Sequence, residues 1–352
     1  MRFGIGMYST QRPPDSPYTH RELYDDMLRQ ARIAEEVGLD SFWIAEHHFA
    51  EDGYAAAVIP ICAAVLGRTT RLVAGTSIAI ASFYHPIRLA EDAIALDLLS
   101  GGRFVLGIGT AYRAEEYAGM GIDASTDEAR LEEVTQILES AFAGRPFAHQ
   151  GRFYHIPELT ITPAPLTDGG PPIMLAGDGV ADRDAMRAGE RGKRYMVDPS
   201  LPIDEVNRLV SLYDGAYRGG QKVELPLFNY GFVSDESDPW EEIRDGFTYL
   251  RQTYDRWGGR AVREVRRENH RLILGNRTQV AAEVLQYHRR FGDRLHFVLR
   301  LSYPGQDPVR SDRAVRAWGD VANIVRRELG ESTPPHPGGC GGEAAGGALP
   351  SG

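Results

Sequence analysis

Only two cysteines, Cys62 and Cys340, occur among the 352 residues, and they form no CxxC pair. That excludes a disulfide framework and a cysteine-clipped metal, so a reducing cytoplasm is the expected compartment. Lysine is as scarce: Lys193 and Lys222 stand alone in a basic set that is otherwise arginine, which leaves Schiff-base chemistry two candidate amines. No apolar run approaches the roughly eighteen uncharged residues of a membrane span. The opening MRFGIGMYSTQRPPDS has a very short apolar run before a Pro-rich turn and reads as neither signal peptide nor anchor. Blocks of like charge are missing too. The 39 basic and 49 acidic residues are interleaved, for a net charge of -10, which argues against a nucleic-acid surface. There is no Walker lysine, HExxH or Gly-x-Ser-x-Gly elbow. Gly107-x-Gly109 lacks the third glycine of a dinucleotide fingerprint, Tyr112 standing in its place.

What the chain has is regular alternation. Arg2–Tyr8 reads as a strand, and Leu23, Met27, Ala31 and Ala34 then recur at helical spacing up to Gly38. Strands follow over 41–46, 71–80 and 103–108, with helices over 55–66 and 89–99 and an amphipathic stretch through Leu131, Val134, Ile137, Leu138 and Ala141. The regularity loosens over 144–170, where prolines and a Gly169-Gly170-Pro171-Pro172 run predict an irregular excursion with a short hairpin around 152–156. It resumes with strands at 173–176, 195–198, 227–233 and 296–301, each followed by a helical pattern. About eight β-α units in a chain of this length predict an α/β fold, a (β/α)8 TIM barrel, over 1–330. Residues 331–352, rich in Gly, Pro and Ala without apolar periodicity, predict a disordered tail.

In such a barrel the active site lies at the C-terminal strand ends. After the second expected strand comes Glu46-His47-His48, after the third Ser82-Phe83-Tyr84-His85, after the fourth Gly109-Thr110-Ala111-Tyr112, after the fifth Gly177-Asp178-Gly179, and after the sixth Asp198. Lys193 falls before a strand and Lys222 in the loop before the seventh, away from that rim. The two histidines are adjacent, so they point apart and suit one metal poorly; no metal site is expected. They read either as a loop cap and a packing residue or as ionisable groups from which a neutral imidazole acts as general base. Gly177-Asp178-Gly179 opens a helix after a strand and reads either as a tight connection or as a phosphate cradle, although Asp178 opposes an anion unless Arg183 or Arg187 offsets it.

Four ordered blocks carry a resemblance: Trp43–Phe49 (WIAEHHF), Arg71–Thr76 (RLVAGT), His85–Asp92 (HPIRLAED) and Leu96–Gly109 (LDLLSGGRFVLGIG), with 171–189 and 274–305 beyond them. In order and spacing they resemble the bacterial luciferase-like flavin monooxygenases. The resemblance implies a TIM barrel using reduced FMN or, in one branch, a 5-deazaflavin. It implies a catalytic histidine at His47, with His48 and Glu46 beside it. It puts a non-proline cis peptide under the flavin at Ser77-Ile78, next to Thr76. Gly109, Thr110 and Tyr112 match the segment meeting the isoalloxazine and phosphate, and Gly177, Asp178 and Gly179 the phosphate loop. Luciferase has a reactive cysteine and an arginine where this chain has Gly109 and Thr110, so Arg113 is the nearest substitute cation.

The implied activity is oxygenation of a small organic substrate by dioxygen through a flavin peroxide, with reduced FMN supplied by a separate reductase and the chain paired as a homodimer. Three rivals remain open: a deazaflavin-dependent hydride-transfer enzyme on the same barrel, a hydrolase using Glu46, Asp178 and Asp198, and a non-catalytic flavin-binding relative.

Overall fold

Apolar strands alternating with one-sided helices curl, in the computed structural model of the chain, into a ring. The structure describes residues 1–176, 181–220 and 222–331. In chain order the elements are β1 (Arg2–Tyr8), α1 (His20–Glu36), β2 (Ser41–Ile44), α2 (Val58–Leu66), β3 (Val73–Thr76), β4 (Ala79–Ile80), α3 (Pro86–Ser100), β5 (Phe104–Gly109), α4 (Ala114–Met120), α5 (Asp127–Phe142), β6 (Phe147–Gln150), β7 (His155–Leu159), β8 (Ile173–Leu175), α6 (Asp182–Glu190), β9 (Arg194–Tyr195), α7 (Ile203–Ala216), β10 (Leu225–Val233), α8 (Pro239–Trp257), β11 (Leu272–Gly275), α9 (Arg277–Phe291), β12 (Leu295–Arg300) and α10 (Pro308–Glu328).

The parallel order β10-β12-β1-β2-β3-β5-β8-β9 supplies eight staves, and β9 packs beside β10 to close them. This is the expected (β/α)8 barrel. An extra strand, β11, pairs with the second half of β10, Tyr230 to Val233, starting at the residue where the pairing with β12 ends. With helices outside and side chains inside, both faces of a stave are buried. β5, β10 and β12 are accordingly buried at every residue.

Local signals set the helix ends. A Thr19–Glu22 capping box opens α1, and Gly38 with φ +80° follows its end. Pro86 stands in the first turn of α3 and Gly101 takes the left-handed position after it. Inside the ring, large residues sit opposite missing ones. The Trp43 indole lies where a Cβ on Gly75 would come within 2.4 Å, and a Cβ on Gly6 would meet Trp43 at 2.5 Å. Its Nε1 donates to Ser41 Oγ at 2.7 Å, and its edge meets Phe228. Gly75→Ala is therefore expected to overpack the barrel and cost roughly 1–3 kcal/mol, read as a lower midpoint in thermal unfolding.

Several expected boundaries move. The strand over 41–46 stops at Ile44, leaving Glu46, His47 and His48 in the loop beyond it. The strand over 71–80 is cut into β3 and β4 by a cis Ser77–Ile78 bond. The excursion holds an antiparallel hairpin, but its strands flank 152–156, which form mostly its turn. Helix α4, strand β11 and helix α9 have no counterpart among the expected elements. The expected tail, residues 331–352, lies outside the described residues apart from Glu331. Lys193 and Lys222 form ion pairs with Glu139 and Asp214. Among the described residues no helix is long and apolar enough to cross a membrane.

Candidate active site

The loop leaving β2 is pinned at both ends: Ala45 N–H donates to the Tyr8 carbonyl and His47 N–H to the Ala55 carbonyl. Its two imidazoles then take separate carboxylates. His47 Nδ1 lies 2.9 Å from Glu116 Oε1, and His48 Nε2 lies 2.7 Å from Glu46 Oε1. They do not converge on a common point.

Glu116, on the inner side of α4, is the hub of the first pair. Its Oε1 also accepts the His48 N–H at 2.8 Å and approaches Arg113 Nη1 at 3.4 Å. Burial pushes its carboxyl up, but the bonds from His47 and His48 and the nearby positive charge outweigh this and hold it below its ordinary value. Glu116 is thus an ionised acceptor, so His47 carries its proton on Nδ1. Nε2 is left as a lone pair 3.4 Å from the Tyr112 hydroxyl. Burial lowers the His47 pKa, with Arg113 adding to it and Glu116 opposing. The ring sits in an aromatic box, edge-on to Tyr54 at 4.7 Å and Tyr112 at 5.3 Å, with Trp257 at 4.8 Å. A neutral imidazole, oriented through one nitrogen and accepting only a long 3.4 Å bond from the Tyr112 hydroxyl at the other, has the form of a general base.

Glu46 belongs to a second, drier cluster. Its Oε2 accepts the Tyr84 hydroxyl at 2.8 Å, and burial raises its pKa although His48 and Tyr84 pull the other way. Arg113 is also interior. It donates to the His48 carbonyl at 2.6 Å and stacks 4.1 Å over Trp257, so the nearest substitute cation has its charge engaged with Glu116 and Trp257.

The β3–β5 side is a bare ledge. Ser77 and Ile78 flank the cis bond, and the buried Ser77 Oγ has no partner among the described residues. A Cβ on Gly109 would come within 2.8 Å of the Ala176 carbonyl and 3.2 Å of Ile78. Thr110 follows half-buried, and Tyr112 is about half exposed. Thr76 is turned away, its hydroxyl donating to the Gly107 carbonyl at 2.6 Å across the two strands. An orphaned hydroxyl, a glycine floor and an aromatic wall fit a flat heteroaromatic cofactor. Gly177, Asp178 and Gly179 lie outside the described residues.

The family model described as luciferase-like monooxygenase matches residues 1–294. The chain belongs to that family. The oxygenase component of the flavin-dependent trigonelline monooxygenase of Acinetobacter baylyi is 30% identical over 244 residues, 68% of this chain and 66% of that protein, just under two thirds. Among solved structures, monooxygenase RslO1 from Streptomyces bottropensis superposes with a TM-score of 0.79 at 22% identity, over 92% of this chain and 99% of that one. The oxygenating constituent of 3,6-diketocamphane monooxygenase from Pseudomonas putida, a structure with FMN, gives 0.75 at 18% identity, over 92% and 99%. An F420-dependent secondary alcohol dehydrogenase gives 0.72 at 16%, also over 92% and 99%. These structural likenesses show the barrel.

Membership in the luciferase-like monooxygenases, an oxidoreductase family, sets the hydrolase reading aside. Asp198 caps its own turn, accepting from Ser200 N–H and Oγ, while Asp178 lies outside the described residues. The site of this luciferase-like monooxygenase also holds residues the sequence reading passed over: Glu116, Tyr54, Tyr254 and Trp257. The aromatic spacing Tyr249, Tyr254, Trp257 in α8 was the available signal for the last two.

Proposed function

We propose that the chain is the oxygenating component of a two-component monooxygenase that takes reduced FMN from a separate reductase and uses dioxygen to oxygenate a small organic molecule. The carrying observation is His47, neutral, held through Nδ1 by ionised Glu116, with Nε2 facing the Tyr112 hydroxyl. Bound reduced FMN would supply the electrons that activate dioxygen. Ser77, Ile78, Gly109 and Thr110 would hold its ring system, with Gly177, Asp178 and Gly179 the candidates for its phosphate. Tyr54, Tyr112, Tyr254 and Trp257 exclude water from the reacting volume. His47 Nε2 accepts the proton that substrate oxygenation releases, and Glu116 stabilises the imidazolium that results. The trigonelline relative, itself named as an oxygenase component, supports the two-component reading, and trigonelline heads the substrate screen. A homodimer in a cytoplasmic setting completes the proposal.

The F420-dependent dehydrogenase on the same barrel favours one second reading, deazaflavin-dependent hydride transfer. Anaerobic titration with reduced FMN and then with reduced F420, followed by admission of air, separates the two. Tight binding of reduced FMN and a transient absorbance band after air are expected. Binding of F420 alone, with no reaction on aeration, would overturn the oxygenase.

A further inference from the structure

Arg300 ends β12, only 2% exposed, yet among the described residues it forms no ion pair. Nε donates to the Ser302 carbonyl at 3.1 Å and Nη2 to Ser9 Oγ at 2.8 Å, while Nη1 has no partner. The Ser9 hydroxyl passes its own proton to Gln11 Oε1, and Gln11 Nε2 donates to Asp52 Oδ2. The carboxylate this network reaches is therefore two neutral side chains away. The other two arginines as deeply buried behave differently: Arg113 faces Glu116 and Arg326 faces Asp40. A buried guanidinium without a counter-ion is costly unless something else supplies the charge.

Its surroundings say what that would be. Arg300 lines a crevice with Ser9, Gln11 and Tyr303 that Gln30 and Asp26 of α1 also line, the latter paired with Arg29 and forming no ion pair with Arg300. Tyr54, Tyr230 and Tyr254 are close enough to act on its charge. Tyr54 and Tyr254 touch each other through their hydroxyls at 3.0 Å, and both rings also face His47. One tyrosine pair thus separates the cation from the imidazole. In the closed ring β12 lies four staves from β5, so Arg300 stands across the barrel mouth from the Gly109 ledge. It is placed for a molecule lying between the ledge and β12 more than for the cofactor itself.

We infer that the substrate is an organic carboxylate, its carboxyl group paired with Arg300 and its body lying against Tyr54 and Tyr254 toward His47. One guanidinium offers one positive charge in a planar fork, which matches a carboxylate; a phosphate monoester carries nearly two negative charges and would need a second cation. Calling the ligand a substrate rests on the proposed function; its binding does not.

The test is calorimetry on the full chain, with and without oxidised FMN, using benzoate against benzamide and phenylacetate against phenylacetamide. Each acid is expected to bind at least about tenfold more tightly than its amide, the scale of one charge-assisted bond. Arg300→Gln should erase that preference while amide and FMN affinities stay. Arg300→Lys, which keeps the charge but loses the fork, should retain part of it, and thermal melts establish that both variants fold. Equal binding of acid and amide by the unaltered chain, a preference that survives in Arg300→Gln, or tighter binding of phenyl phosphate than of benzoate would overturn the inference. So would a loss of FMN affinity in step with acid binding, which would give Arg300 to the flavin. No turnover is read, so a failure of the oxygenase reading shows in the titration with air and leaves the acid preference intact.

Discussion

Alanine in place of His47 is expected to cut kcat/KM by about 10²–10⁴-fold, the usual worth of a positioned general base, with reduced-FMN affinity unchanged. The substitution removes Nε2, the site's proton acceptor, and touches none of Ser77, Ile78 or Gly109. Glu116 keeps the His48 N–H and Arg113 as partners, so no buried carboxylate is abandoned. Parallel measurement of product and of flavin binding decides it, and unchanged turnover sinks the assignment. The pH profile is a second check. Burial lowers the His47 pKa below its ordinary 6.5, so its base form persists as pH falls through that value. The acid limb of kcat/KM should lie below about pH 6.5. The same shift has a stability consequence: the unfolded chain binds a proton near 6.5 that the folded one resists, so stability falls as pH drops below that value.

What could be read in the sequence was what depends on local pattern. β1 falls on its expected residues because an apolar run bounded by turn residues leaves no other choice. His47 stood out because ionisable groups at a strand end are conspicuous. The cis bond at Ser77–Ile78 was expected only from resemblance, and Arg71–Ile80 otherwise reads as one strand. Glu116 was illegible for another reason. In Glu115-Glu116 both carboxylates sit in the first turn of α4, and only the packing of that short helix turns one inward and the other to solvent. Arg300 was missed because its distinction is that, buried, it forms no ion pair among the described residues. A property of that kind exists only once eight staves have brought their ends together. β11 and α9 were missed because their pattern was absorbed into a long stretch without a clear break.

Glu116→Ala should do two kinds of damage, separable by Glu116→Gln. Alanine leaves Arg113, about 5% exposed at its side chain, without its counter-ion and leaves the His48 N–H without its acceptor. Breaking a buried pair from one side costs about 3–5 kcal/mol, seen as a marked fall in the urea midpoint. Glutamine restores the acceptor without the charge, so it should recover much of that stability. It should not recover turnover: nothing then stabilises a protonated His47, and a loss of about 10²-fold is expected. The pH dependence identifies the cause. Because Glu116 raises the His47 pKa against burial, its neutralisation should move the acid limb of kcat/KM further down, which a purely structural defect would not do. Stability should respond in the other range. Glu116 is held below its ordinary 4.5 in the folded chain, so its contribution is complete above that value and lost as pH falls through the folded pKa. In Glu116→Gln that part of the acid-side decline should vanish, and an unaltered limb together with an unaltered stability profile would remove Glu116 from its role as the group that orients His47.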